Sequence, residues 1–376
     1  MMNESLRSEN SKTGLLMTGP SRGDGLRKDR VAGPLPASRS ARRVLRWPGL
    51  PASILGLIAL VATSILQPSF LSAGQLAPFF AAYGPVAIIA VGVAFTLMVG
   101  GIDLSVGPVM GVCAILTVLL SSVGTHFLTA GPSGAAALCA DPGVCQRGLP
   151  FALVAVAVIV VGGIFGLLNG LTIAYFRLQP LVATLAMGFV AAGLSLWLMP
   201  QPGGQMPQGP LIWYSGEAII SVPLELLVVY VVVAAVLMRT PLGVRMRGVG
   251  SNRWKTFTSG VAVNRTTLAA YVASGVSAGV AGVLLTLNSG SADPSIGIEY
   301  TLTAVAGAVL GGTALRGGWA DPVGPVIGVL ALGLFSKLVT VAKVPNYYIQ
   351  VATGLIILGG LAVTQVFLRR SNRAAS

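Results

Sequence analysis

The side chains that could carry out chemistry are few in this sequence. Among 376 residues there is one histidine, His126, and there are 11 acidic residues. No G-x-x-x-x-G-K-[ST] segment occurs, so the chain lacks the phosphate-binding loop that supports ATP hydrolysis in many NTPases. A single histidine also excludes an H-E-x-x-H zinc site and a histidine-based triad within the chain. We therefore predict that the protein is not an enzyme and holds no metal or cofactor of its own.

The polar residues inside the apolar segments are mostly uncharged. Pumps and ion-coupled carriers usually place Asp, Glu or His within the bilayer, whereas here the charged residues stand at the ends of the apolar segments. This inventory suits a neutral solute that forms hydrogen bonds. We predict that the pathway of such a solute includes Ser105, Asn169, Thr184 and Thr303. Packing between helices explains buried Ser and Thr equally well, so both interpretations stay open.

Two aspartates precede apolar segments. Asp103 lies three residues before Val106, and Asp321 is followed directly by Pro322. A carboxylate at the start of a helix accepts backbone N–H bonds and meets the positive end of the helix dipole. We therefore predict that Asp103 is the N-cap of the helix that follows it, with a structural role.

Composition indicates which elements must position these residues. Hydrophobic residues make up 54% of the chain and charged residues 9%, and the mean hydropathy is +0.82. A soluble domain usually carries about 25% charged residues, so most of this surface must face lipid. The 49 glycines fit this picture, because small residues let membrane helices approach closely. The sequence predicts an all-α integral membrane protein embedded in the lipid bilayer.

A membrane span needs about 20 mostly apolar residues, and about ten segments meet or approach this length. They lie near 50–67, 84–100, 104–122, 150–175, 180–199, 221–238, 267–287, 301–315, 323–341 and 346–368. The stretch 68–83 is expected to add a short helix that does not span. The first segment has no A-x-A-like site at its far end, which predicts an uncleaved helix.

The basic residues give these spans a direction. The net charge is +13, and ten of the 24 Lys and Arg lie in the first 46 residues. Because basic residues concentrate on the cytoplasmic side, ten spans with both termini inside leave only Arg147, Lys337 and Lys343 on or toward the outer side. We predict a disordered basic cytoplasmic tail at 1–47, a transmembrane domain at 48–368 and a cytoplasmic tail at 369–376. The basic clusters flank apolar segments, which does not indicate a nucleic-acid surface.

Two segments resemble each other at an offset of 217 residues. Gly100–Gly111 reads GGIDLSVGPVMG and Gly317–Gly328 reads GGWADPVGPVIG. The offset pairs spans that are six apart, so both copies run in the same direction, as in a parallel repeat. The sequence predicts two loosely repeated halves.

Two connections between spans stand out. Residues 239–265 form a basic, glycine-punctuated cytoplasmic loop, in which Asn252 to Thr258 could form a short helix. The loop is either a solvated anchor or a docking surface for a cytoplasmic partner. In the outer loop, CADPGVC contains Cys139 and Cys145, for which a disulfide and two free thiols are both compatible with the sequence.

Four blocks together resemble the permease subunits of ribose- and xylose-type ABC sugar importers. They are MVGGIDLSVGPVMG at 98–111, NGLTIAYFRLQPLVATLAMG at 169–188, RTPLGVRMRGVGSN at 239–252 and VLGGTALRGG at 309–318. The resemblance runs from about residue 50 to 368. It implies structural motif roles for Gly100, Gly101, Asp103, Gly107, Gly311 and Gly312.

The resemblance also implies a set of partners. These are a second permease subunit in a homodimer or a heterodimer, cytoplasmic ATPase subunits that bind the ATP, and a periplasmic sugar-binding protein, all at the bacterial inner membrane. The cytoplasmic loop becomes the coupling segment, carried over onto Gly248, Gly250, Ser251 and Asn252. Family members often show a Glu-Ala-Ala-like run after the Asn, whereas this chain has Arg253, Trp254, Lys255 and Thr256.

The implied function is therefore a pathway for a monosaccharide, such as a pentose, a hexose or a related polyol. A branched-chain amino-acid permease of the same superfamily is an alternative, although such permeases usually lack the GGIDLSVG form. A self-sufficient secondary carrier or channel is a second alternative, for which intramembrane charge or inverted repeats would be expected.

Overall fold

The computed structural model describes residues 49–122, 149–216 and 221–343, together with six helical positions between 348 and 359. Over these residues the regular structure is helical, apart from one isolated antiparallel bridge. The α-helices of this part of the chain are α1 Leu50–Leu66, α2 Ala73–Met98, α3 Val106–Ser122, α4 Phe151–Ala174, α5 Pro180–Leu198, α6 Gln208–Ser215, α7 Val222–Arg239, α8 Pro241–Ser251, α9 Arg253–Thr258, α10 Val263–Ser289, α11 Gly297–Leu310 and α12 Val323–Val341. A 3₁₀ turn at Pro68–Leu71 follows α1.

Six of the described helices are long and apolar enough to cross a membrane. They are α2, α4, α5, α7, α10 and α12, and α1, α3 and α11 are shorter apolar helices. The prediction of an all-helical, multi-pass membrane protein is confirmed. The predicted span at 346–368 falls mostly outside the described residues, as do both tails and the loop with Cys139 and Cys145.

The second span is where the predicted boundaries are wrong. The segments 68–83 and 84–100 were expected to be separate, but residues from Ala73 to Met98 form one helix of 26 residues. Its interior contains Pro78 and Pro85, which normally interrupt a helix. In an apolar surrounding the helix continues past both prolines. Ending it there would leave several backbone groups without partners, which costs more free energy than the one hydrogen bond that each proline cannot donate.

The helix α11 also differs from its predicted range. The apolar run at 301–315 was expected to be helical throughout, but the helix occupies Gly297–Leu310. The chain turns at Gly311 and Gly312, and Gly312 has a φ of 92°, which residues other than glycine rarely adopt. Apolar character alone did not mark this end.

The centre of the helical bundle is formed by α2 and α10. The helix α10 packs against α2, α3 and α4, and α12 packs against α1, α2 and α11. The helices α4 and α10 are in close backbone contact, which glycine permits: a Cβ at Gly162 would overlap the carbonyl oxygen of Gly275. Large apolar side chains on α4, α5 and α7 are exposed, including Val156, Phe189 and Val232. These faces are suited to lipid.

The described connections meet at two ends of the bundle. At one, the backbone N–H of Gly318 donates to the carbonyl of Met98 at 2.9 Å, so the α11–α12 connection lies on the end of α2. We call this the α8–α9 end, since those two helices also lie there. At the other end, Gly203 and Ala292 exchange backbone hydrogen bonds at 2.9 and 3.0 Å. The connections that follow α5 and α10 therefore meet each other away from the α8–α9 end.

Candidate functional site

A buried polar cluster lies just before α3. Asp103 Oδ1 accepts hydrogen bonds from the backbone N–H of Ser105 at 3.0 Å and from the Ser105 hydroxyl at 2.7 Å. Asp103 Oδ2 accepts from the hydroxyl of Ser274 on α10 at 2.8 Å, and Asn169 Nδ2 on α4 donates to Ser105 Oγ at 2.7 Å. All four residues are at most 1% exposed. The polar cluster therefore connects α3 to both α4 and α10.

The prediction that Asp103 is the N-cap of α3 is wrong. The helix begins at Val106, and the residue that precedes it is Ser105, whose carbonyl accepts from the N–H of Val109 at 2.9 Å. Asp103 instead closes a local turn onto the Ser105 N–H and uses its second oxygen on another helix. A buried carboxylate gains more from three donors than from one terminal N–H, because each unsatisfied lone pair would cost free energy.

Two threonines from other helices satisfy the backbone at the start of α3. The N–H of Leu104 donates to Thr184 Oγ1 at 3.1 Å, and the N–H of Gly107 donates to Thr301 Oγ1 at 3.0 Å. The N–H of Gly107 is among the first N–H groups of the helix, which have no intrahelical partner, so the Thr301 hydroxyl supplies what a local cap would supply. The Thr184 hydroxyl satisfies the N–H of Leu104 just before the helix. Thr301 was not predicted, and no signal in the sequence distinguishes it from its neighbour Thr303.

The structure brings three of the four predicted pathway residues together. Ser105 and Asn169 belong to the polar cluster, and Thr184 lies beside them through Leu104. Thr303 is not part of this group: it is half-buried on α11, and its hydroxyl donates to the carbonyl of Glu299 in its own helix at 3.1 Å.

Two buried polar atoms near the cluster lack a hydrogen-bond partner in the described structure. They are Asn169 Oδ1 and the hydroxyl of Tyr271 on α10. A Cβ at Gly101 would overlap that hydroxyl, so the ring reaches the connection between α2 and α3. An amide oxygen can accept and a phenol can donate or accept. The cluster can therefore bind neutral hydrogen-bonding groups.

The backbone requires glycine at several positions of the predicted motifs, through a positive φ or a close backbone contact. Gly100 has a φ of 82°, in the left-handed region. A Cβ at Gly107 would overlap the carbonyl oxygen of Gly297 on α11, and one at Gly311 would overlap the carbonyl oxygen of Gly324 on α12. These contacts fix α3 and α12 against α11.

The basic loop is more regular than predicted. The expected short helix exists as α9, and the Asn252 side chain caps it by accepting from the N–H of Lys255 at 2.9 Å. Residues 241–251, for which no helix was predicted, form α8, which begins with Pro241 in its first turn. The loop therefore presents two short helices separated by Asn252.

The helix α8 is seated on the ends of the membrane helices. A Cβ at Gly250 would overlap both the carbonyl oxygen of Met98 and the backbone nitrogen of Gly318. We call Met98, Gly250 and Gly318 the glycine junction. One turn earlier, the guanidinium of Arg247 lies 5.6 Å from the centre of the Trp319 ring, a cation–π distance. A displacement of α8 must therefore move the end of α2 or the α11–α12 connection.

The other predicted coupling residues are exposed or face the neighbouring helix α9. Ser251 and Asn252 are exposed, and Gly248 faces Thr256 of α9. On α9, Trp254 is 72% exposed and Phe257 is 60% exposed, with ring centres 6.1 Å apart. Exposed aromatic side chains of this size are enriched where proteins bind partners or meet the membrane interface.

Comparison with known proteins supports a transport function. The family model described as "Branched-chain amino acid transport system / permease component" matches residues 75–361. The chain is 28% identical over 314 residues to the ribose import permease protein of Haemophilus influenzae, covering 81% of this chain and 90% of the relative. It is 32% identical over 314 residues to the ribose import permease protein of Bacillus subtilis, covering 81% and 89%. It is 27% identical over 320 residues to the D-allose transport system permease protein of Escherichia coli K12, covering 84% and 90%.

No solved structure matches the chain. The family match extends from the start of α2 to beyond α12, and includes the polar cluster, the glycine junction and the α8–α9 segment. The chain therefore belongs to this family of permease components, the membrane subunits of ABC transporters, which are not enzymes.

Proposed function

We propose that the chain forms the translocation pathway of an ABC importer for a monosaccharide or a related polyol. The observation that carries the proposal is the similarity to permeases named for ribose and D-allose across 81% to 84% of the chain. The family description names branched-chain amino acids, but these relatives are named for sugars. Apart from the carboxyl group of Asp103, whose two oxygens already accept from Ser105 and Ser274, the polar cluster offers hydroxyl and amide groups, which suit a hydroxylated solute better than a zwitterion.

The proposed topology has ten spans, two repeated halves and both termini in the cytoplasm. Its support is the grouping of connections, since those predicted inside meet at the α8–α9 end and those after α5 and α10 meet elsewhere. The repeat is supported by α3 and α12, which begin at Val106 and Val323, 217 residues apart. A glycine in the left-handed region precedes each, Gly100 and Gly317. In addition, α1 packs on α12 as α10 packs on α3.

The α8–α9 segment is proposed to receive the cytoplasmic ATPase subunits. Gly248, Gly250, Ser251 and Asn252 would form the coupling region. Its support is mechanical: Gly250 contacts backbone atoms of Met98 and Gly318, so movement imposed on α8 is passed to α2 and to the α11–α12 connection. ATP would be bound by the partner subunits, and this chain would change conformation in response.

The remaining partners follow from the same proposal. A second permease subunit, in a homodimer, would complete the pathway at the bacterial inner membrane, and a periplasmic protein would deliver the sugar. Within this chain, Ser105, Asn169 and Thr184 are proposed to contact the solute when the helices separate, because Asn169 Oδ1 still has a free acceptor site. Thr303 would contribute separately from α11.

The test is uptake by the complex reconstituted in vesicles with its ATPase subunits and binding protein. We expect ATP-dependent accumulation of one labelled pentose or hexose and no accumulation of leucine. Uptake of leucine in preference to every sugar would contradict the sugar assignment. Uptake by this chain alone, without ATP, would contradict the importer assignment.

A further inference from the structure

An open cavity lies at the α8–α9 end, beside the proposed coupling region. Its volume is about 990 Å³, and it is bounded by the α4–α5 connection, α9 and the start of α10. We call it the cationic cavity because one guanidinium comes from each of these elements. They belong to Arg177, Arg253 and Arg265.

The charge in the cationic cavity is not balanced by its own lining. No carboxylate is among the described residues that line it. Arg253 donates to the amide oxygen of Asn264 at 3.4 Å, which is a neutral partner. Because the three arginines are exposed, solvent screens the repulsion between them. An anion in the cavity would add the negative charge that the described lining lacks.

The rest of the lining is aromatic and apolar. Tyr175, Trp254 and Phe257 are at least half exposed, and Leu178 is 50% exposed. The next turns of α5 expose Leu181, Val182 and Leu185 toward the surface that is suited to lipid. Tyr and Trp concentrate at membrane interfaces, where one end of the ring is wet and the other apolar. The cavity therefore joins a basic region to a bilayer-facing surface.

We propose that the cationic cavity binds the phosphate headgroup of an anionic phospholipid, with its acyl chains lying along the exposed side of α5. Basic pockets at the cytoplasmic ends of membrane helices suit such headgroups. A free phosphate would leave the aromatic wall and the α5 surface unused, whereas a lipid uses both. The bound lipid connects the α4–α5 connection to α9, and so holds the coupling region in place.

This inference rests on the proposed topology, which puts the cavity in the cytoplasmic leaflet, and not on the identity of the sugar. A failure to bind lipid would leave the proposal of ATP-dependent sugar uptake unchanged. If the sugar assignment failed instead, lipid binding would still be measurable on the purified chain.

The experiment measures lipid retained by the full-length chain after extraction from vesicles of phosphatidylcholine with added phosphatidylglycerol, by native mass spectrometry. The test variant is Arg177→Gln with Arg265→Gln. The matched control is Arg245→Gln with Arg316→Gln, which removes the same charge from residues outside the cavity at the same end. We expect retention of phosphatidylglycerol to fall at least about tenfold in the test variant and to change less than about twofold in the control.

A second variant addresses the apolar part of the cavity. Trp254→Ala with Phe257→Ala is expected to reduce retention of phosphatidylglycerol, because its rings form the wall beside the headgroup. Both are exposed, so the fold does not depend on them. Equal retention by the arginine test variant and the wild type would overturn the proposal. Displacement of the lipid by millimolar inorganic phosphate would overturn the proposal in favour of a free-anion site. If the arginine test variant retained the lipid but no longer co-purified with the ATPase subunits, the cavity would be a protein-docking site and the proposal would be wrong.

Discussion

Replacing Gly250 by alanine tests whether the glycine junction transmits movement. The new Cβ would overlap the carbonyl oxygen of Met98 and the nitrogen of Gly318, which are backbone atoms and cannot rotate away. The same carbonyl accepts the Gly318 N–H at 2.9 Å, so the substitution disturbs that hydrogen bond as well. We expect α8 to move off the end of α2.

The magnitude follows from these contacts. Overpacking of this kind costs about 1–3 kcal/mol, and a disturbed hydrogen bond costs about 0.5–1.5 kcal/mol. The better helix propensity of alanine returns up to about 1 kcal/mol. With the middle of both penalties and the full return from alanine, the net penalty on the seated position of α8 is about 2 kcal/mol, which corresponds to a roughly 30-fold shift in its population.

The matched control is Gly193→Ala on α5, outside the coupling region. Its Cβ would meet no atom within 4 Å, so the substitution adds the same methyl group without overlap. The assay is the ratio of sugar uptake to ATP hydrolysis in the reconstituted complex, with membrane insertion and assembly measured separately. We expect Gly250→Ala to lower this ratio by at least about fivefold and Gly193→Ala to leave it within about twofold. A Gly250→Ala variant with the wild-type ratio would refute the role given to the glycine junction.

Two further substitutions test the packing around α3. Ser274→Ala removes the donor to Asp103 Oδ2 and should lower the free energy of unfolding by about 1–3 kcal/mol. The control is Ser64→Ala, which removes only a hydrogen bond within its own helix. Equal unfolding midpoints for the two variants in detergent would contradict the structural role of the polar cluster. Gly107→Ala places a Cβ on a backbone carbonyl of α11, so we expect no folded protein when the variant is measured by size-exclusion chromatography. The control Gly111→Ala should fold normally, because its Cβ would lie 3.6 Å from the Ser195 hydroxyl. Folded Gly107→Ala at wild-type yield would show that α3 and α11 can separate without cost.

The amino-acid sequence was sufficient for the long apolar helices of the described residues and their approximate positions. Continuous apolar runs require helices in lipid, because each backbone group must be paired within its own segment. The short helix after Asn252 was also predictable, since an Asn before a helical stretch is a local capping signal. The ends of α2 and α11 were not predictable, because apolar character continues past them and prolines do not stop a helix in this environment.

The candidate site depended on contacts between distant parts of the chain. Asp103 and Ser274 are 171 residues apart, and Gly107 and Thr301 are 194 residues apart, so no local pattern pairs them. The capping prediction for Asp103 was wrong for this reason: its second partner comes from α10.

The sequence by itself therefore determined that this chain is a multi-pass helical membrane protein of the permease type, because hydropathy and glycine-rich blocks are local properties. Only the tertiary structure decided which apolar faces are buried and which meet lipid, since lipid tails are as apolar as a protein interior. It also decided that Gly250 meets the end of α2, and that Arg177 shares a cavity with Arg253 and Arg265. Those arrangements arise from how the helices pack, and the packing is set by close backbone contacts at glycines far apart in the chain.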